Sequence, residues 1–349
     1  MSIVISRTLA ASVVAVGLVV IGSSLSGAQA GQEKRTDYKS LSGKIRIDGS
    51  STVAPIVAAA AEMYRADSPR TNVVVGISGT GGGFKKFLET DAALRTDISN
   101  ASRPIHEQEL SRAKELGAEF IELPIAYDGI AIVVNPQNKF CEYLTVDELK
   151  RIWSPGSKID NWKDVRTGFP DLRLRLFGPG ADSGTFDYFT EAIVGKEDAS
   201  RSDYTASEND NVLVRGVEGE AGALGYFGFS YFEANKARLK LVGVDATGGG
   251  AIKPSLATIR DHSYHPLSRP LFIYVARGAA ERAEVVGFVE YLLLNAKRIV
   301  EHPRVNYVAL PDELYQNILK RFREKITGTV YSTAERKTRP IAELYGGKP

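Results

Sequence analysis

Glycine and hydroxyl-bearing residues cluster at three places in this chain. Asp48–Pro55 reads DGSSTVAP, Gly76–Gly83 reads GISGTGGG and Gly178–Phe186 reads GPGADSGTF. Asp97–Pro104 (DISNASRP) is a fourth, weaker case, with Arg103 at what reads as a helix start. Each follows an apolar, strand-like run and opens a helix-like one. The chemistry this suits is anion capture. The first N–H groups of a helix lack intrahelical partners, and with the macrodipole they present roughly half a positive charge to a ligand. Glycine lets the backbone come close, and hydroxyls both donate and accept. A buried oxyanion must regain its hydration as hydrogen bonds. Three or four convergent helix starts can supply them without a basic protein. Any one loop alone is also what ordinary capping and turns require; three in the same strand–loop–helix setting point to a small polar or anionic ligand.

The elements that must position these loops alternate along the chain. Lys44–Asp48 and Asn72–Val75 read as strands, and Ile56, Ala59, Ala60, Met63 and Tyr64 recur at helical spacing between them. Phe84, Phe87 and Leu88 give the next helix an apolar face. Ile125–Asn135 reads as a long strand ended by Asn-Pro, and a helix follows, with Thr145 as N-cap, Glu148 completing a capping box and Leu144 with Leu149 as a staple. Leu172–Phe177 and Pro270–Val275 read as strands, and Gly222–Phe232 as a packed strand and bend. The tail from Ala279 to Tyr315 reads as helical, with Leu292, Leu293 and Leu294 as an apolar anchor. Strands alternating with helices predict an α/β fold with a parallel or mixed sheet.

The 349 residues exceed what one small core needs, so two lobes are expected. The first thirty residues carry one charge, Arg7; an apolar run from Leu9 to Ile21 and Ala28-Gln29-Ala30 follow. That pattern predicts a cleaved secretory signal peptide over residues 1–30 and a periplasmic location. The apolar run is short against the ~20 residues of a membrane span, and without a cysteine there no lipid anchor is expected. The 44 basic and 42 acidic residues give a net charge of +2. There is no global field to draw in nucleic acid or a membrane surface, so any anion affinity is local. Cys141 stands alone, which excludes an intrachain disulfide and a cysteine metal cluster; its polar surroundings in sequence suggest no role.

The chain resembles the phosphate-binding proteins of the Pst-type ABC transporters, over about Lys44 to Tyr315. The resemblance is carried by DGSSTVAP, SGTGGG from Ser78, SRP from Ser102, LTVDELKRIW from Leu144 and DSGTFDYF from Asp182. YTASENDN from Tyr204, GALGYFG from Gly222 and LPDELY from Leu310 add to it. It implies a type II periplasmic-binding-protein fold, two α/β lobes joined by a two-strand hinge with the ligand in the cleft. Lobe I would comprise residues 44–126 and 266–349, lobe II residues 127–265, with crossings near Ile125–Asp128 and His265–Arg269.

By motif, the resemblance implies that Thr52 and the Val53 N–H bind phosphate with Ser51 nearby, that Ser78 or Thr80 adds a hydroxyl, and that Ser183, the Gly184 N–H and Thr185 complete the set. Two positions depart from the family pattern. Arg103 stands where members often carry a proton-accepting Asp, and Pro179 stands where they carry an Arg. Arg103 is then expected to supply the guanidinium, and Asp182 or Asp210 to accept the phosphate proton. The expected partners are inorganic phosphate and an inner-membrane ABC permease; the protein is expected to act as a monomer, without cofactor, metal or nucleic acid, and not as an enzyme. The alternatives are another oxyanion (sulfate, arsenate, molybdate), a phosphatase-like hydrolase on the same anion site, or a scaffold that borrows the fold. The four histidines, His106, His262, His265 and His302, show no metal-protease spacing, and no Gly-x-Ser-x-Gly elbow or P-loop lysine is present.

Overall fold

The structure, a computed structural model, describes residues 37–181, 183–207, 209–331 and 339–346. The predicted signal peptide and Asp182 lie outside the described residues.

Among the described residues, ten strands form one mixed sheet: β1 Gly43–Gly49, β2 Thr71–Val75, β3 Ile98–Ala101, β4 Phe120–Val134, β5 Tyr143–Thr145, β6 Arg175–Gly178, β7 Thr205–Ala206, β8 Ala223–Gly228, β9 Lys240–Asp245 and β10 Ser268–Ala276. The order is β2-β1-β3-β10-β4-β8-β6-β7, with β9 pairing β4 and β5. β1 lies parallel to β2 and β3, and β6 parallel to β7 and β8. Parallel neighbours need crossovers. Helices supply them: α1 Ala54–Asp67, α2 Gly79–Phe87 and α3 Glu107–Glu115 on one side of β4 in the chain, then α4 Val146–Trp153, α5 Trp162–Val165, α6 Gly184–Phe189 and α7 Asp210–Gly219 on the other.

β4 joins the two halves of the sheet. Its first part, Phe120 to Gly129, pairs antiparallel with β10; its second part, Ile130 to Val134, pairs with β8 and β9. All fifteen of its residues are buried, which is why it reads as a continuous apolar run rather than an alternating one. A bulge near Leu271 and Phe272 shifts the register, and within β10 Arg269 stands opposite Asp128.

Several elements differ from the expectations. β4 begins at Phe120 because β10 is long enough to pair with it from its first residue. β6 begins only at Arg175: Leu172 and Arg173 are drawn to the Asn161–Trp162 segment instead, the Leu172 carbonyl accepting from the Trp162 N–H at 2.9 Å. Phe229–Asn235 is a helix rather than a bend. The tail is broken into Ala283–Leu294, Ala296–Val300 and Asp312–Arg323, and Leu294 is half exposed while Leu292 and Leu293 are buried. Ile98–Ala101 is a strand, so Arg103 lies four residues before α3 rather than at its start. Cys141 is fully buried, and burial pushes its thiol pKa up to about 12.

The predicted capping box forms: the Thr145 hydroxyl accepts from the Glu148 N–H at 3.1 Å and Glu148 accepts from the Thr145 N–H at 2.8 Å. One buried carboxylate organises the end of the chain. Glu122 of β4 accepts from the hydroxyls of Tyr274 (2.8 Å), Thr329 (2.6 Å) and Tyr345 (2.7 Å) and from the Val330 N–H (2.9 Å). Among the described residues no helix is long and apolar enough to cross a membrane.

Candidate functional site

The first loop turns at the end of β1. Gly49 has φ +140°, and a Cβ there would meet the Asn100 carbonyl oxygen at 2.2 Å, so only glycine lets β1 end beside β3 in this way. Ser51–Val53 then lead into α1, with Pro55 in its first turn, where a missing N–H costs nothing. Thr52 and Val53 are buried, and the Val53 N–H lies 3.4 Å from the Ser50 hydroxyl. The second loop folds over the first. The Ser78 N–H donates to the Gly49 carbonyl, and a Cβ on Gly83 would sit 2.5 Å from the Gly49 Cα. The Ser78 hydroxyl donates to Asp48 at 2.5 Å, and Lys86 donates to the other Asp48 oxygen at 2.6 Å. Thr80 is instead tied to Ser102, hydroxyl to hydroxyl at 3.0 Å. The two loop-two hydroxyls thus stand in different places, Ser78 toward β1 and Thr80 toward β3.

The third loop follows β6. Ser183 caps α6, its hydroxyl accepting from the Thr185 N–H at 3.2 Å, and α6 continues into a π-helical turn, Thr190–Val194. This loop meets the first loop directly. The Thr52 hydroxyl donates to the Gly184 carbonyl at 3.1 Å, and the Ser51 hydroxyl donates to Asp187 at 2.5 Å. A Cβ on Gly184 would come within 2.5 Å of the Thr52 Cα and 2.6 Å of its nitrogen. Thr52, Ser183 and Gly184, picked from separate motifs, therefore lie at one junction.

Arg103 is occupied elsewhere. Its guanidinium forks onto Glu109 at 2.9 and 2.8 Å and also donates to the Pro104 carbonyl. Glu109 in turn accepts from the His106 N–H. The guanidinium that reaches the junction is that of Arg269, which the sequence reading passed over. It donates to the Thr52 hydroxyl at 3.1 Å, lies 3.5 Å from Asp128 and 3.7 Å from Glu191, and stacks on the Tyr188 ring at 3.6 Å. Tyr307 was passed over too. It lies within electrostatic reach of Asp128, Arg269, Asp210 and Asp187, and burial, followed by the Asp128 charge, pushes its pKa up. Asp210, on the first turn of α7, adds to that push. Asp187 is in direct contact with a predicted ligand residue, Ser51, as Asp48 is with Ser78. Burial raises the Asp187 pKa, as does neighbouring Asp198, while the Ser51 hydrogen bond and Arg269 oppose them. The cue available in sequence was weak: Asp187 falls in DSGTFDYF, three residues beyond Gly184, and Arg269 in the segment predicted to cross between lobes.

Chemically, this is a partly buried junction of hydroxyls, helix-start N–H groups and a guanidinium, flanked by acids. Among the described residues no group of three or more His, Cys, Asp or Glu side chains is arranged to hold a metal.

Comparison with known proteins agrees with this chemistry. Residues 27–296 match the family model of the PBP superfamily domain. The chain is 44% identical over 290 residues to Protein SphX of Synechococcus elongatus, covering 82% of this chain and 84% of the relative. It is 36% identical over 315 residues to the phosphate-binding protein PstS of Staphylococcus haemolyticus, covering 88% and 96%. The crystal structure of a possible phosphate binding protein from Planctomyces limnophilus superposes with a TM-score of 0.77 at 44% identity, covering 82% of this chain and 100% of that one. The mixed sheet and its crossovers are the type II periplasmic-binding-protein fold, and the chain belongs to the PstS-like phosphate-binding proteins of the PBP superfamily, a family of binding proteins rather than enzymes.

Proposed function

We propose that this protein captures inorganic phosphate outside the cytoplasm and delivers it to an ABC permease in the inner membrane, after export on the signal peptide read in residues 1–30. The halves of the sheet on either side of the β4–β10 crossing act as two lobes, residues 44–126 with 266–349 and residues 127–265. One observation carries the reading: Thr52 and Gly184, 132 residues apart, meet at 3.1 Å across a contact that only glycine fits. Loops built for an anion thus converge from both halves of the chain.

In this reading Ser51, Thr52 and the Val53 N–H supply donors from lobe I, and Ser183, the Gly184 N–H and Thr185 supply them from lobe II. Ser78 and Thr80 line the second loop behind the first. Arg103 contributes charge only by leaving Glu109. Because each lobe holds part of the coordination, phosphate favours the closed arrangement, a population shift needing no chemistry. The closed form is what the permease reads, and the protein works as a monomer.

The test is calorimetric titration and thermal unfolding of the phosphate-free protein with phosphate, arsenate, sulfate and molybdate. One-to-one phosphate binding with sulfate inert is expected; at a hundredfold excess over Kd it adds about 2.7 kcal/mol to stability. No response to any of the four anions would overturn the reading.

A further inference from the structure

The strand crossing between the sheet halves carries a charge pair that none of the anion motifs includes. Arg269 is the second residue of β10 and faces Asp128 on β4, one residue before β4 leaves β10 and pairs with β8 and β9. We propose that Arg269 is the cation of the anion site, a guanidinium mounted on the hinge strand itself, which binds the oxyanion with two donors and so couples ligand to hinge. This rests on the phosphate reading above.

Arg269 is less committed than Arg103, Arg166 and Arg201; among the described residues Arg260 also keeps a buried Nε without a hydrogen-bond partner, but its one hydrogen bond goes to the Ala309 carbonyl rather than to an anion-loop hydroxyl. Arg103 spends its fork on Glu109 at 2.8 and 2.9 Å, and Arg166 spends its on Glu148 at 2.5 and 2.7 Å. Arg201 is filled by Asp203 and two main-chain carbonyls. Among the described residues Arg269 makes one hydrogen bond, to the Thr52 hydroxyl, and its buried Nε has no hydrogen-bond partner, only the ion pair to Asp128 at 3.5 Å. Its two acidic neighbours stand at 3.5 and 3.7 Å, outside good hydrogen-bond range. A guanidinium has five donors, so most of this one's capacity is unspent, next to the hydroxyl that loop one aims at loop three.

Its position is nonetheless held. The flat face of the guanidinium rests on Tyr188 at 3.6 Å, and the Tyr188 hydroxyl is pinned to the Pro266 carbonyl at 2.5 Å. Asp128, with no exposure to solvent, faces the guanidinium; burial pushes its carboxyl pKa up and Arg269 opposes the push. A stacked guanidinium keeps its in-plane N–H edges free for a planar pair of oxygens, the geometry in which arginine exceeds lysine. One side chain thereby touches loop one (Thr52), α6 (Tyr188), the π turn (Glu191) and the hinge (Asp128). An anion that draws it toward Thr52 acts on both halves of the sheet at once.

The experiment measures phosphate affinity by calorimetry for the wild type, R269Q and R269K, at about pH 6 and about pH 8, with thermal unfolding of each phosphate-free protein. Loss of two charge-assisted bonds in R269Q should weaken binding about 100-fold or more, and loss of the fork alone in R269K about tenfold. The R269Q deficit should be larger at the higher pH, where phosphate carries more negative charge. The other charged or titratable groups around the guanidinium, Asp128, Asp187, Glu191, Glu197, Tyr188 and Tyr307, with His262, His265 and Arg339 on the cavity it lines, are common to all three proteins. Equal losses at both pH values would assign Arg269 a structural role and overturn the proposal. So would a Kd within twofold of wild type in R269K, the variant that reads the fork if R269Q does not fold. A wild type that fails to bind phosphate would instead overturn the functional reading, which separates the two failures.

Discussion

Replacing Gly184 by alanine tests whether closure depends on the contact between the first and third loops. The new Cβ would lie 2.5 Å from the Thr52 Cα and 2.6 Å from the Thr52 nitrogen, both main-chain atoms with little freedom to move. Ordinary carbon contacts sit at about 3.5–4.0 Å, so the loops must part by about 1 Å. The Thr52–Gly184 hydrogen bond, now 3.1 Å, then passes out of range, and the Ser51–Asp187 bond at 2.5 Å goes with it. A neutral hydrogen bond contributes about 0.5–1.5 kcal/mol and one to a charged group about 1.5–3 kcal/mol. Their joint loss, about 2–4.5 kcal/mol, predicts phosphate binding about 30- to 1,600-fold weaker. Alanine favours a helix over glycine by about 1 kcal/mol, so the phosphate-free Tm of G184A should hold or rise slightly. Calorimetry gives the affinity, and small-angle scattering with and without phosphate gives the compaction. A Kd within threefold of wild type, with the same compaction, would refute the argument that these loops must touch for the ligand to be held.

Other outcomes follow from the same geometry. D187N removes the acid that contacts Ser51; because a carboxylate that can take a proton should discriminate against an anion with none to give, the variant is expected to bind sulfate within about tenfold of phosphate, and continued inertness to sulfate in competition titrations would exclude that role. E122Q replaces one of two oxygens that together accept four hydrogen bonds, stranding buried donors at about 1–3 kcal/mol each; the Tm should fall by about 5 °C or more, with the Kd unchanged. Burial raises the Glu122 pKa above its ordinary 4.5, so the folded state holds this proton more tightly. That contribution is complete below the ordinary value and is lost as pH rises through the raised one. The wild-type stability curve should show this step, and E122Q should lack it. G49A meets both a φ of +140° and an oxygen at 2.2 Å, and should be destabilised by about 2–3 kcal/mol or more in denaturant titration.

Local signals survived folding where they rest on neighbours in the chain. The Thr145–Glu148 capping box needs two residues three apart, and it forms as read. The three glycine loops likewise each sit between a strand and a helix, because turn chemistry is local. Expectations resting on burial fared less evenly. Leu292, Leu293 and Leu294 look alike in sequence, but one helix cannot turn three successive residues to the same side, and Leu294 points out. Cys141 has polar neighbours in the chain and an apolar surrounding in space.

What the sequence alone determined is the family and the loops proposed to meet an anion: hydroxyls and glycines at helix starts, little net charge, and motifs shared with phosphate-binding proteins. What only the tertiary structure decided is which charges join them. Arg103 and Arg269 are both arginines near an expected crossing or helix start, and no local pattern ranks them. Glu109, six residues on, occupies the first, while β10 sets the second opposite Asp128 and beside Thr52, 217 residues away. Long-range strand register, not spacing, brings a guanidinium to the anion loops, because register alone fixes which side chains from distant segments share one place.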